Sequence, residues 1–107
     1  MHEFKDYDIV NAKINGKSYK LYVADNTKKM SKGLSEIDAL PEKTGMIFIY
    51  DKPVTNNFTM KNTKIPLNII FLDENMKIVD YHSCKPFQEE PVRSRKKYQF
   101  VIEITHE

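Results

Sequence analysis

Thiols, glycine and long apolar runs are all scarce in this chain, and each scarcity excludes a class of protein. Cys84 is the single cysteine, so neither an intramolecular disulfide framework nor a zinc site built on paired thiolates is available. Glycine occurs three times and never in a cluster. A phosphate-cradling loop of the P-loop or dinucleotide type needs several closely spaced glycines, so both are excluded, and Gly33 and Gly45 read as backbone devices. No Gly-x-Ser-x-Gly elbow presents a nucleophilic serine. Apolar runs such as Ile69-Ile70-Phe71-Leu72 are far shorter than the ~18–20 residues of a membrane-spanning helix. The start, Met1-His2-Glu3-Phe4-Lys5-Asp6, lacks the apolar centre of a secretory signal. With Met1 as the native start, the expectation is a soluble, cytoplasmic protein with no membrane partner. An exported one follows if a signal peptide has been removed ahead of it.

What is present is a chain of 107 residues, 40% hydrophobic and 30% charged. That length predicts one domain over residues 1–107, apolar enough to bury a core and fold alone. Charge is nearly balanced at +2, too little to imply a polyanion partner. The cations are 15 lysines to 2 arginines, a compositional bias that leaves single lysines uninformative. One basic cluster, Arg93-Ser94-Arg95-Lys96-Lys97, follows Glu89 and Glu90 and reads as a solvated loop; nucleic acid is not an expected partner.

Most of the chain alternates with the period of strands. Val10, Ala12 and Ile14 form one stripe, and Tyr19, Leu21 and Val23 another. Between them Asn15-Gly16 is the dipeptide favoured in two-residue hairpins, because both turn positions need positive φ. Asp25 or Asn26 can cap a short helix, Thr27-Lys28-Lys29-Met30-Ser31-Lys32, which Gly33 ends. So short a helix needs Met30 and Leu34 packed on a sheet. Residues 35–44 read as loop. Strands are then expected at 46–50, which should be central, at 54–60 with Phe58 and Met60 on one face, and at 67–72. Residues 73–76 are a turn signal, 77–83 the returning arm of a hairpin, and Pro86 and Pro91 frame a surface loop before a closing strand at 98–104. The prediction is an all-β fold with one short helix: a small β-sandwich or partly closed barrel of six to seven mostly antiparallel strands.

The order Ala24…Met30…Gly33-Leu34, Gly45-Met46-Ile47-Phe48, then 58–73 (Phe-Thr-Met-Lys-Asn-Thr-Lys-Ile-Pro-Leu-Asn-Ile-Ile-Phe-Leu-Asp), then Tyr98…Val101-Ile102-Glu103-Ile104, resembles the domain of unknown function 192 family of small bacterial and archaeal β-proteins. The similarity runs over about residues 23–104, and 60–73 is its most specific part. It implies a single all-β domain and no established activity, cofactor or substrate. Three departures stand out. Thr59 occupies a position where the family usually has Trp, removing a core filler or a wall on which a planar ligand could stack. Asn68 replaces the usual Asp after Pro-Leu, and an amide cannot transfer a proton at neutral pH and ligates metal poorly. The resemblance also implies a further strand beyond 103–104, whereas this sequence stops at Glu107.

The candidate ligand contacts are Lys61, Asn62, Thr63 and Asn68. The first three join two apolar strands and could offer an ammonium, an amide and a hydroxyl to a small polar or anionic ligand. Asn62 and Thr63 serve equally well to bond backbone in a tight crossover. Asn68, in an apolar strand, needs a hydrogen-bond partner such as Asn62 or backbone. Asp80, His82 and Cys84 share one strand face, which invites a Cys–His or metal reading; a half-exposed strand face is the simpler one, and no catalytic or metal residue and no cofactor is assigned. His2 and His106 read as mobile terminal residues. The six tyrosines, spread across the strands, are candidates for a shared surface or pocket.

Three functions compete. The first is a non-enzymatic small-ligand-binding domain. The second is a protein-interaction or homodimerisation module using a strand edge that the family's last element would otherwise cover. The third is a decayed hydrolase whose Asp has become Asn68.

Overall fold

The computed structural model describes residues 4–105; His2 and His106 lie outside them. Six strands form one sheet: β1 (Ile9–Ile14), β2 (Lys17–Ala24), β3 (Thr44–Val54), β4 (Leu67–Leu72), β5 (Ile78–Cys84) and β6 (Tyr98–Thr105), with helix α1 (Thr27–Lys32) after β2. Their order in the sheet is β1-β2-β3-β6-β4-β5. Every pair is antiparallel except β2–β3, which is parallel. A parallel pair needs a crossover of a dozen or so residues, and residues 25–43, carrying α1, supply it.

Local signals act as the sequence predicts. Asn15 and Gly16 both have positive φ, 52° and 80°, closing the β1–β2 hairpin. Asn26 caps α1 through its side-chain oxygen, which accepts the Lys29 N–H at 2.9 Å, and Gly33 at φ 50° ends it. Leu34 is buried and Met30 packs against the same core, the tertiary support that a six-residue helix requires.

The near-continuous apolar runs of β3, β4 and β6 arise because both faces of the sheet are buried. One face packs Tyr22, Met46, Phe48, Ile69, Phe71 and Val101 against Phe4, Leu34, Met60 and Val92 from the surrounding segments. The other packs Leu21, Val23, Ile47, Ile70, Leu72 and Ile102 against one another. Because every member of that second cluster comes from a strand, the sheet itself curls over this face. Extents of 32 × 30 × 28 Å fit a curled sheet under a layer of loops. The all-β class with one short helix is therefore as expected. The finer architecture is one continuous open sheet, since β1 and β5 do not pair; it is neither two packed sheets nor a closed barrel.

One expected strand is absent. Residues 55–60 make a single bridge, Phe58 with Val92, in place of a ladder. Phe58 turns its ring into the core, edge-on to Phe48 at 5.1 Å and Phe71 at 5.8 Å. Tyr98 Oη donates to the Asn56 carbonyl. Aromatic anchoring and a side-chain bond thus hold this segment without strand pairing, and it forms one wall of a cavity.

Candidate functional site

On the loop-covered face, α1, β3, β6 and residues 55–63 surround a cavity of about 530 Å³. Glu103 forms part of its lining from the middle of β6. Its neighbours across the sheet are Met46 on β3 and Ile69 on β4, both fully buried. A glutamate between two such residues loses its water, and burial pushes its carboxyl up to about 8 from an ordinary 4.5. At neutral pH it is therefore mostly a neutral acid. Glu103 is only 5% exposed, and no side-chain hydrogen bond or ion pair holds its carboxyl among the described residues. Every fully enclosed side-chain polar atom there does have a partner. The unbonded carboxyl oxygens consequently keep their remaining exposure toward the cavity.

Gly45 lets β3 approach this part of β6. A Cβ at Gly45 would lie 2.2 Å from the Glu103 carbonyl oxygen and 2.8 Å from Ile104 Cγ2. Above Glu103 the walls mix aromatic rings from Phe48, Tyr50 and Phe58 with hydroxyl and amide groups, and Lys32 of α1 is exposed at the rim. Tyr50 is raised chiefly by burial, lowered by its hydrogen bond to Tyr98, and raised again by the nearby Glu103 charge.

The four residues expected from sequence to share a site are divided. Asn62 and Thr63 line the Glu103 cavity. Thr63 is 5% exposed, its hydroxyl unbonded among the described residues, while its backbone fastens the crossover by accepting from Phe87 N at 2.9 Å. Lys61 is exposed and does not line the cavity. Asn68 points to the opposite face, because side chains alternate along a strand. There it accepts from Ser83 Oγ at 2.8 Å and, with Tyr19, Ile70 and Tyr81, lines a second cavity, also about 530 Å³. Its partner is Ser83 and neither Asn62 nor backbone. Thr59 lines the Glu103 cavity, so the position where the resemblance expects an indole is open space in this chain.

Asp80 and His82 do meet, with His82 Nε2 3.3 Å from Asp80 Oδ2. They fasten the basic loop: Asp80 accepts the Arg95 and Tyr81 backbone N–H groups, and His82 Nε2 lies 2.7 Å from the Arg93 carbonyl. Burial pushes the Asp80 carboxyl up, but those N–H bonds and the His82 and Arg95 charges outweigh it and leave it below its ordinary value. Cys84 is buried, and desolvation, aided by Glu103, raises its thiol to about 11, which leaves it unreactive. No group of three or more metal-ligating side chains occurs among the described residues, and no helix there is long and apolar enough to cross a membrane.

The sequence profile of the family termed DUF192, uncharacterized ACR, matches residues 10–107. The chain belongs to the DUF192 family. This assignment fits the residues that suggested it, Met60 to Asp73 and Tyr98 to Ile104, since they build β4, β6 and the crossover beside Glu103. Among solved structures, a protein of unknown function from Novosphingobium aromaticivorans DSM 12444 is similar, at 26% identity and TM-score 0.80 over 92% of this chain and 73% of that one. A candidate transcription regulator from Sinorhizobium meliloti 1021 shares the fold at 24% identity and TM-score 0.78, over 92% and 81%. No curated protein matches. The feature of this DUF192 chain that sequence reasoning passed over is Glu103. Its signal was available: it is the one acidic or basic residue in the apolar strand 98–105, where a charge between Ile102 and Ile104 is uncommon without a function or a partner.

Proposed function

We propose that this protein is a non-enzymatic binding domain that holds a small polar molecule in the cavity over Glu103. The observation that carries the reading is a carboxyl group 5% exposed, without a side-chain hydrogen bond among the described residues, facing a cavity of about 530 Å³. A buried polar group left without a partner costs about 1–3 kcal/mol, which a ligand's hydrogen bonds would recover. Asn62 and Thr63 add an amide and a hydroxyl beside it. Binding is favoured over catalysis because the titratable groups whose charges couple to Glu103, Tyr50 and Cys84, are themselves raised; neither is a ready acid–base or nucleophilic partner. Amide NMR with a library of small polar compounds tests this. Compounds that bind should shift the backbone signals of Ser31, Asn57, Asn62, Thr63 and Glu103, and Thr63→Val should weaken them about fivefold or more. Shifts confined to other regions would refute it.

A second reading is supported by the sheet edges. β5 is an outer strand carrying Ile78 and Tyr81 at 61% and 63% exposure, an arrangement suited to pairing with another copy. Sedimentation across a concentration series would reveal a dimer, and a constant monomer mass would remove this alternative.

A further inference from the structure

We infer that the cavity takes an organic monocation, a compound whose single ammonium group docks on the Glu103 carboxylate while its apolar body lies against Phe48, Tyr50 and Phe58. This rests on the binding reading above and names its ligand class.

Three features of the cavity select that class. The first is the position of charge. From β6 the cavity receives Glu103; from α1 it receives Lys32, exposed at the rim; β3 and residues 55–63 contribute no charged side chain to the lining. Cys84, whose thiol is raised partly by Glu103, is the titratable neighbour from β5. No cation of the protein pairs with Glu103 among the described residues, so the place of its counter-ion is open. Secondly, three rings, Phe48, Tyr50 and Phe58, line the same space and offer the apolar body of an organic ligand a surface that an inorganic cation would leave uncovered. Finally, Lys32 places a positive charge at the entrance. It opposes a second positive charge on the ligand and so favours monoamines over polyamines. An anionic ligand would have to approach the buried carboxyl, with Lys32 at the rim as its sole cationic contact in the lining.

The protonation balance follows from the burial of Glu103. With its pKa near 8, the carboxyl is mostly protonated at pH 7. Docking an ammonium group removes that proton to the buffer and leaves a carboxylate–ammonium pair, so binding should release close to one proton and tighten as pH rises toward 8.

Calorimetry on the full chain at pH 7 with phenethylamine, phenethyl alcohol and 3-phenylpropionate, in two buffers of different ionisation enthalpy, tests this. Phenethylamine should bind at least about tenfold more tightly than the other two, release 0.5–1 proton, and exceed spermidine. Glu103→Gln should weaken phenethylamine about tenfold or more and change the alcohol little. In the wild-type protein, ¹³C NMR should show the Glu103 carboxyl titrating at lower pH when phenethylamine is saturating, a readout independent of the variant's folding. Equal or tighter binding of the alcohol or the acid, or an unchanged Glu103 midpoint, would overturn the cation assignment and leave the cavity reading standing. If none of these probes, nor any polar library compound, shifts the cavity amides, both fall together.

Discussion

Replacing Glu103 by Gln removes the ionisation while keeping the shape of the side chain, and the stability of the two proteins should diverge with pH. The carboxyl's folded value of about 8 lies above its ordinary 4.5, so between these limits the folded protein keeps a proton that the unfolded chain has lost. Stability is then complete below about pH 4.5 and declines as pH rises, by roughly 1.4 kcal/mol per unit at full slope. Across the window the loss is on the order of 5 kcal/mol. That is comparable to the whole stability of a small domain, ~5–15 kcal/mol. Asp80 acts in the opposite sense and elsewhere: its value is lowered, so its contribution is present above the ordinary carboxylate range and fades as pH falls. Urea denaturation of both proteins at half-unit steps from pH 5 to 8.5 isolates Glu103, because groups common to both cancel in the difference. The wild type should lose stability steadily relative to Glu103→Gln, the gap between the two widening toward pH 8. Parallel profiles, or a wild type that gains stability with pH relative to the variant, would refute the buried, unpartnered state of this carboxyl.

Gly45→Ala should destabilise the protein by about 3 kcal/mol or more, because its Cβ meets backbone and not a flexible side-chain end; a lower urea midpoint at unchanged slope is the check. Asn26→Ala should cost about 1 kcal/mol by freeing the Lys29 N–H that its side chain accepts, read in the same assay. Cys84, buried and raised to about 11, should react with thiol reagents at the rate of global opening and at no faster rate; rapid labelling of the native protein would contradict its placement.

The elements whose causes are local were readable in the sequence. Asn15-Gly16 needs only its own backbone preferences to make a hairpin, and Asn26 and Gly33 delimit a helix by chemistry within one turn. The alternation along 17–24 and the apolar runs of β3, β4 and β6 announce strands because burial leaves a period. The segment 54–60 misled for a physical reason: Phe58 and Met60 are buried at strand spacing, yet the loop folds over the sheet and is held by rings and by Tyr98. Asn62, Thr63 and Asn68 illustrate the limit at the site. Thr63 and Asn68 are only five positions apart, but strand alternation sends Asn68 through to the other face, a fact that depends on register and on which face is covered. Glu103 carried the clearest anomaly, a charge in an apolar strand. Its meaning emerges only when β6 is seen between β3 and β4, with Met46 and Ile69 on either side.

That central place of β6 also governs how the protein can be made. β1, β2 and β3 pair among themselves, as do β4 and β5, but β3 and β4 are joined only through β6, which follows all the others in the chain. During synthesis the two part-sheets leave the ribosome with bare inner edges, β3 and β4, each rich in isoleucine. Both edges stay open to wrong pairing until the segment 98–105 is released to slot between them. The same insertion carries Glu103 from water to its buried position, so assembly and the desolvation of the candidate site are one event.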